Sequence, residues 1–244
     1  MILGVLQGRL NSTRLPGKVL RPVLGEPMIV RQVERLRRSA CIDRLVVATS
    51  ESASDDELAR ELDARNIEVR RGPLNDVVGR FAAVVDEFAP DVIVRLTADC
   101  PLADHAVIDA VISAHLRLGA DYTSNTLQPT FPDGLDVECI SADAFGRLRA
   151  LPLTPREREH VTLGLYSRPD EYLLESYRQD PDRSSLRWTV DVADDLEFVR
   201  AVYAALYPMT PDFAQADILS LITSQPDLNR TEDDLARNTG LQQK

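Results

Sequence analysis

Residues 2–18 read ILGVLQGRLNSTRLPGK, an apolar run followed directly by a loop that carries Arg9, Arg14 and Lys18 among small, turn-forming residues. The run Ile2 to Leu6 has the aliphatic and β-branched side chains that are typical of a buried strand. Ligands of open parallel sheets bind at the carboxyl ends of the strands, which is where this loop begins. Its cations and free backbone N–H groups therefore predict a site for a polyphosphate.

This loop matches neither of the common glycine-rich phosphate motifs. Gly8 and Gly17 have the wrong spacing for a P-loop, and Val19 follows Lys18 where that motif requires Ser or Thr. The GxGxxG pattern of dinucleotide-binding folds is also missing. A solvated basic surface loop therefore remains the alternative when the loop is considered by itself.

The first half of the chain alternates short apolar runs with segments of helical periodicity. This alternation indicates βαβ units around a mostly parallel sheet, and hence an α/β fold. Ser54 and Glu57 have the spacing of a capping box. The predicted strands are residues 2–6, 44–49, 67–71 and 91–97, and the predicted helices begin near Met28, Ser54, Asn75 and, with Asp104 as its cap, His105.

Beyond Gly119 the regular alternation of strands and helices ends, and the pattern becomes typical of a smaller α+β lobe. Thr154, Pro155 and Glu157 predict the start of a helix, and residues 194–207 have the apolar spacing of a buried helix face. No internal repeat and no long linker interrupts the chain, so we expect one domain. The predicted strands here are residues 121–125, 135–140, 172–177 and 186–190, with a loop at 128–134.

The composition excludes several classes of protein. The chain has 28 Lys and Arg against 39 Asp and Glu, a net charge of −11, so we expect no nucleic-acid partner. No apolar run approaches the ~20 residues that span a bilayer, so we expect no membrane association.

The run MILGVLQGR lacks the features of a signal peptide, which predicts a cytoplasmic protein. The cysteines lie too far apart for a CxxC site and are expected to be reduced; they are Cys41, Cys100 and Cys139.

Two acidic residues follow directly after predicted strands. Asp99 lies in RLTADCPL and Asp191 in RWTVDVADDLEF, so both are expected at the edge of the sheet where Lys18 lies. Mg²⁺ prefers one or two carboxylates, with phosphate and water as its other ligands, so this arrangement predicts a site for Mg²⁺ and a triphosphate. Capping of the following helix is the alternative role for this acidic cluster, and we assign it to Asp194 or Asp195.

Seven stretches, in order from about residue 1 to residue 205, resemble the cytidylyltransferase family typified by the spore coat polysaccharide biosynthesis enzymes. They are QGRLNSTRLPGKVL, LVVATSES, RRGPLNDVVGRF, RLTADCPL, FPDGLDVE, REREHVT and RWTVDVADDLEF. That family is related to the CMP-sialic acid and CMP-Kdo synthetases. The resemblance implies a Rossmann-like nucleotide-diphospho-sugar transferase fold with a mixed, mostly parallel central sheet. It also implies Mg²⁺-dependent transfer of a cytidylyl group from CTP to an acidic sugar or related small acceptor, with release of pyrophosphate, for surface polysaccharide or glycan biosynthesis.

The resemblance also implies roles for individual residues. Arg9, Arg14 and Lys18 match the phosphate-binding loop and are the expected catalytic residues, because in-line attack on a triphosphate requires its charge to be neutralised. Asp99 and Asp191 match the metal-binding aspartates of the CMP-sugar synthetases. The expected nucleotide-binding residues are Gln7, Gly8, Arg9, Asn11, Ser12, Arg71 and Asp76.

Acceptor recognition is expected in the second half of the chain. Asp136 and Glu138 alternate on one predicted strand face, where they can bind sugar hydroxyls or an amine; a solvent-facing strand is the alternative. We expect a nucleotide-binding half at about 1–120, an acceptor and dimerisation lobe at about 121–190, and a returning metal-site strand end with C-terminal helices at 191–244. A homodimer is plausible by the same resemblance. The expected acceptor-binding residues are Phe131, Gly134, Asp136, Glu138 and His160.

Two other functions stay open at this point. One is a nucleotidyltransferase that uses another base and a sugar 1-phosphate, or a glycosyltransferase of the same fold, although the DxD motif typical of the latter is missing at the strand ends. The other is a nucleotide-binding protein without turnover. The missing DxD motif favours cytidylyl transfer over the first alternative, and the presence of Lys18, Asp99 and Asp191 favours catalysis over the second.

Overall fold

A seven-stranded mixed sheet forms the centre of the computed structural model, which describes residues 1–231. In chain order the strands of the protein are β1 (Ile2–Gln7), β2 (Pro22–Val23), β3 (Glu26–Pro27), β4 (Arg44–Ser50), β5 (Val69–Gly72), β6 (Val92–Thr97), β7 (Tyr122–Ser124), β8 (Glu138–Ser141) and β9 (Leu174–Ser176). The sheet has the order β5-β4-β1-β6-β8-β7-β9, and β2 and β3 form a separate hairpin. Within the seven-stranded sheet of residues 1–231, the pairings of β8 with β6 and β7 are antiparallel and the other pairings are parallel.

Helices cover both faces of this sheet. They are α1 (Met28–Leu36), α2 (Asp56–Asp63), α3 (Val77–Phe88), α4 (His105–Leu118), α5 (Ala142–Arg149), α6 (Pro155–Glu159), α7 (Leu163–Tyr166), α8 (Ala193–Leu206) and α9 (Gln215–Ser224). One apolar cluster joins α1, α2, α4, α8 and α9 to the sheet, and a second joins α3, α5 and α7 to the other face. Within residues 1–231, no helix is both long enough and apolar enough to cross a bilayer.

The predicted α/β fold with a mostly parallel sheet is confirmed. Asp104 caps α4 by accepting a hydrogen bond from the Ala106 N–H at 2.8 Å, as predicted. The predicted capping box of Ser54 is wrong, because residues 53–55 form a 3₁₀ turn and α2 begins only at Asp56. Ser52 caps that turn instead, through the Ser54 N–H.

The predicted strand at 186–190 is also wrong, since this segment makes only isolated bridges and joins no sheet. Its hydrogen bonds connect it to two loops instead. The Trp188 N–H donates to the Asp133 carbonyl at 2.6 Å, and the Val190 N–H donates to the Asp99 carbonyl at 2.8 Å. The segment therefore lies across the end of β6 and joins loops from both halves of the chain. Helices α8 and α9 follow it, and the rest of the predicted C-terminal region, residues 232–244, lies outside the described residues.

Gly134 lies directly against the backbone of the segment at 186–190. Its φ is +111°, and a Cβ atom there would lie 2.6 Å from both Thr189 N and Trp188 C. A side chain at this position therefore meets backbone atoms that cannot rotate away. In contrast, a Cβ atom at Gly146, within α5, would have no neighbour within 4 Å.

We expect Gly134→Ala to lower the free energy of unfolding by about 1–3 kcal/mol, because it adds both backbone strain and a steric clash. Gly146→Ala is the matched control and should raise the free energy of unfolding by up to ~1 kcal/mol, since alanine favours the helix. Urea unfolding at 25 °C measures both values. Equal stability of the Gly134→Ala variant and the parent protein would contradict this account of the crossing.

Candidate active site

A cavity of about 500 Å³ opens at the C-terminal end of β6. Its walls come from β6, the start of β8, the loop after Ser124 and the segment that crosses the end of β6. Six of the residues predicted as site residues line this one cavity: Arg14, Asp99, Asp136, Glu138, His160 and Asp191. The fold thus brings predicted phosphate, metal and acceptor positions together.

The side chain of Lys18 lies next to this cavity and contacts both predicted metal-binding aspartates. Its Nζ donates hydrogen bonds to the Val190 carbonyl at 2.6 Å and to Asp191 Oδ1 at 3.2 Å. The same atom lies 3.5 Å from Asp99 Oδ2. Arg14 Nη2 lies 2.8 Å from Asp191 Oδ1, so a second cation of the loop reaches the same carboxylate.

Burial and charge act in opposite directions on these groups. Burial alone would lower the pKa of Lys18, but the neighbouring carboxylates of Asp99 and Asp191 raise it above its ordinary value. Burial likewise favours a raised pKa for Asp99, and the Lys18 ammonium outweighs it, so the pKa of Asp99 lies below its ordinary value. Both groups are therefore charged at neutral pH.

Local backbone geometry holds the basic loop in place. Gly17 adopts a left-handed conformation with φ of +69°, and a 3₁₀ turn beginning at Lys18 follows it. The buried carboxylate of Asp55 accepts the Leu10 N–H at 2.7 Å, which fixes the first part of the loop to the end of β4. Asp55 was not predicted as a site residue, and nothing in its local sequence distinguishes it from an ordinary helix-capping residue.

Asp191 is positioned by a network of ion pairs centred on Arg187. The guanidinium of Arg187 is 1% exposed and contacts Asp133 at 3.2 Å, Asp191 Oδ2 at 3.0 Å and Asp195 at 3.0 Å. Asp195 also accepts the backbone N–H groups of Asp191 at 2.8 Å and Val192 at 3.1 Å, which confirms its predicted role at the start of α8. Sequence reasoning missed Arg187, and the available signal was a cation within the apolar run around Trp188.

A second ion pair forms the wall of the cavity between β6 and β8. Arg95 and Glu138 lie directly opposite each other in the antiparallel pair, and Arg95 Nη1 donates a hydrogen bond to the Glu138 carboxylate. The Tyr122 hydroxyl donates to the other Glu138 oxygen at 2.5 Å, and Arg95 Nε donates to Gln7 Oε1 at 3.3 Å. Glu138 is thus fully engaged by protein groups. Arg95 was missed, although a cation inside the apolar run VIVRLT was a visible signal.

Three predicted nucleotide-binding residues lie at the strand ends on the other side of the basic loop. Arg71 donates to the Ser50 carbonyl at 2.9 Å and to Asp56 at 2.7 Å. Asp76 caps α3, since it accepts the Gly79 N–H at 2.9 Å, and it also pairs with Arg158. Arg9 reaches this region through the Leu74 carbonyl, 3.5 Å from its Nη1.

The remaining predicted residues have different surroundings. A Cβ atom at Gly8 would lie 2.9 Å from that of Ala98, so the backbones of β1 and β6 approach closely where these strands end. Ser12 accepts the Leu15 N–H at 3.4 Å within the loop, and Asn11 is exposed. Phe131 is buried and stacks on Tyr177, with ring centroids 5.9 Å apart, beside a different cavity from the one that holds Asp99.

The two aspartates fit the donor set of a hard divalent cation. Lys18 Nζ lies within 3.5 Å of a carboxylate oxygen of each, so one cation can contact both. Among residues 1–231, no group of three or more His, Cys, Asp or Glu side chains is arranged to hold a metal ion. A pair of carboxylates agrees with the donor set of Mg²⁺, which in phosphate-binding sites takes one or two carboxylates together with phosphate oxygens and water.

A parallel-sheet edge with a basic loop and two carboxylates, next to a cavity of this size, defines an α/β nucleotidyltransferase. The chain belongs to the cytidylyltransferase family, whose sequence model matches residues 3–178.

Individual relatives agree with this family over nearly the whole chain. The spore coat polysaccharide biosynthesis protein SpsF of Bacillus subtilis (strain 168) is 34% identical over 236 residues, which are 93% of this chain and 95% of that protein. The structure of a cytidylyltransferase from Leptospira borgpetersenii serovar Hardjo-bovis superposes with a TM-score of 0.88 at 28% identity, over 93% of this chain and 95% of the other. A CMP:2-keto-3-deoxy-manno-octonic acid synthetase complexed with CTP has the same fold, with a TM-score of 0.65 at 19% identity, over 83% and 98%.

The ion pairs of Asp195 predict how the free energy of unfolding falls at acidic pH. Burial alone would raise the pKa of Asp195, but Arg187 and two backbone N–H groups bring it below its ordinary value. The unfolded chain therefore binds a proton first, and the stability due to Asp195 is complete above about pH 4 and is lost as the pH falls through the lower folded-state pKa.

We expect Asp195→Asn to reduce the slope of unfolding free energy against pH below about pH 4 by up to ~1.4 kcal/mol per pH unit, the value for one proton. Urea unfolding between pH 2.5 and pH 6 measures this slope. Asp86→Asn, at an exposed ion pair with Arg149, is the control and should leave the slope nearly unchanged. Equal slopes of unfolding free energy against pH for the Asp195→Asn variant and the parent would show that folding does not lower the pKa of Asp195.

Proposed function

We propose that this protein transfers a cytidylyl group from CTP to an oxygen of a small acceptor, an acidic sugar or a related molecule, and releases pyrophosphate. The observation that carries the proposal is the meeting of Lys18 with Asp99 and Asp191 beside a cavity of about 500 Å³. Membership of the cytidylyltransferase family supports cytosine as the base of the donor nucleotide. The similarity to a spore coat polysaccharide biosynthesis protein supports a role in surface polysaccharide or glycan synthesis.

The basic loop neutralises the triphosphate in this proposal. Arg9, Arg14 and Lys18 bind its oxygens and stabilise the negative charge that develops on the departing pyrophosphate. Asp99 and Asp191 hold Mg²⁺, which when bound screens the phosphate charge and orients the α-phosphate. Lys18 and Arg14 neutralise these carboxylates in the ligand-free protein, so both cations are already next to the position of the phosphates.

The other residues at the end of β1 shape the nucleotide site. Gly8 has no side chain, which lets the ends of β1 and β6 pack closely beneath the nucleotide site, since a Cβ atom there would lie 2.9 Å from that of Ala98. Gln7 supplies a polar group at the end of β1, and Asn11 and Ser12 supply polar groups on the loop that follows. Arg71 and Asp76 contribute indirectly, by fixing the strand ends and the loop before α3 through the hydrogen bonds described above.

The acceptor binds in the part of the cavity lined by Asp136, Glu138 and His160. Its oxygen attacks the α-phosphorus of CTP and gives up its proton to water, while the bond from the α-phosphorus to the β-phosphate oxygen breaks and pyrophosphate leaves. The hydrogen bonds that Glu138 accepts from Arg95 and Tyr122 fix its carboxylate in the wall of the cavity. Gly134 allows the loop before Asp136 to pass close to the segment at 186–190. Phe131 supports this loop from the core.

We also propose that residues 1–244 act as one domain, with a nucleotide half at about 1–120, an acceptor lobe at about 121–190 and a returning metal-site segment from 191. A homodimer and a cytoplasmic location belong to the same proposal. Hydrogen bonds from the segment at 186–190 to loops of both halves support the single domain, since Val190 bonds to Asp99 and Trp188 bonds to Asp133.

Thermal unfolding with CTP, UTP, ATP or GTP, each with Mg²⁺, tests the donor. A ligand that binds only the native state at ~100 times its Kd stabilises the protein by about 2.7 kcal/mol, so we expect CTP to raise the Tm by several degrees. The other three nucleotides should raise it far less. Asp99→Asn should weaken the CTP effect, and the surface variant Asp86→Asn should retain it.

A larger shift with UTP or a purine nucleotide would support a nucleotidyltransferase of different base specificity. The absence of a shift with all four nucleotides would contradict the site around Lys18 and Asp99. Pyrophosphate release with candidate acceptors then separates catalysis from binding without turnover.

A further inference from the structure

We propose that Arg187 is a positioning residue, which holds Asp191 in the orientation needed to bind a divalent cation together with CTP. The inference rests on the proposed function, because it takes Asp191 as a metal ligand. Arg187 is buried beneath the cavity and does not line it, so it acts only through the carboxylates around it.

The two oxygens of Asp191 have separate partners. Oδ2 accepts a hydrogen bond from Arg187 Nη2 at 3.0 Å, on the buried side of the carboxylate. Oδ1 contacts Arg14 at 2.8 Å and Lys18 at 3.2 Å, on the side of the basic loop. Arg187 therefore fixes rotation of the carboxylate and presents Oδ1 alone to the position where Lys18 and Asp99 meet.

The guanidinium is itself fixed from two other directions. Asp133 Oδ2 lies 3.2 Å from its Nη1, and Asp195 accepts from both Nε and Nη2, at 3.2 and 3.0 Å. A planar group with several donors can satisfy three carboxylates at once, whereas a lysine ammonium is a single point of charge. The position therefore requires an arginine, and the requirement is geometric as well as electrostatic.

Arg230 provides a matched control in the same network. Its Nη2 lies 3.2 Å from Asp195 Oδ1, so it shares a carboxylate with Arg187. Within residues 1–231, however, the cations that contact Asp191 are Arg14, Lys18 and Arg187. A change at Arg230 alters the charge and packing around Asp195 and leaves the direct hold on Asp191 intact.

The test compares CTP binding with and without Mg²⁺, by isothermal titration calorimetry on the full chain without an acceptor. The Kd without Mg²⁺ divided by the Kd with Mg²⁺ reports the contribution of the metal site. The Kd without Mg²⁺ by itself reports the integrity of the basic loop. We expect Arg187→Lys to reduce this ratio about 10-fold or more, as is typical when an outer partner of a metal ligand is lost. Its metal-free Kd should stay close to that of the parent. Arg230→Lys should preserve both values.

A full Mg²⁺ effect in a folded Arg187→Lys variant would overturn the inference and leave the proposed function intact. An equal loss of metal-free and Mg²⁺-dependent binding would also overturn it, because that result indicates a general structural role. If the parent protein shows no Mg²⁺ effect on CTP binding, the proposed function itself fails.

Should Arg187→Lys not fold, Asp195→Asn replaces it. This variant loosens both Arg187 and the Asp191 backbone, so it must lower the Mg²⁺ effect in the same direction, and an unchanged effect would refute the proposal.

Discussion

The contacts of Lys18 with Asp99 and Asp191 hold together three segments that are far apart in the sequence. Lys18 belongs to the loop after β1, Asp99 follows β6, and Asp191 comes at the end of a segment that crosses the sheet edge. The crossing is fixed by the Asp99 carbonyl, which accepts hydrogen bonds from the Val190 N–H at 2.8 Å and from the Thr189 hydroxyl at 3.1 Å. The two carboxylates thus meet because backbone bonds place them there, and the ammonium balances the charge that results.

The same principle extends outward from the site. A buried carboxylate is stable only with a partner, and the carboxylates of Asp99, Asp191 and Glu138 are each paired with an arginine or lysine from another segment. Asp191 has partners on both sides, and Glu138 is held by Arg95 and a tyrosine hydroxyl. The cavity therefore has fixed, charged walls before any ligand arrives, which is the preorganisation that electrostatic catalysis of phosphoryl-type transfers requires.

Much of the fold was predictable because it is encoded locally. The alternation of apolar runs and helical periodicity in the first half predicts the parallel strands, and the placement of Asp99 and Asp191 after apolar runs predicts where the carboxylates meet. The segment at 186–190 has the composition of a strand, but its backbone N–H groups bond to the Asp99 and Asp133 carbonyls and it joins no sheet. Arg187 and Arg95 are visible in the sequence as cations within apolar runs, but the sequence does not show which carboxylates face them. Asp133 lies 54 residues from Arg187 and Glu138 lies 43 residues from Arg95, so these pairs form only in the fold.

The central claim is that one divalent cation, shared with the triphosphate of CTP, binds between Asp99 and Asp191. A crystal structure with Mn²⁺ and CTP, using anomalous scattering to locate the metal, tests it most directly. We expect an anomalous peak about 2.1 Å from a carboxylate oxygen of each aspartate, the Oδ1 atom in the case of Asp191, with Lys18 moved onto a phosphate. A metal bound only by phosphate oxygens or by other residues, with Lys18 still paired to both aspartates, would contradict the account.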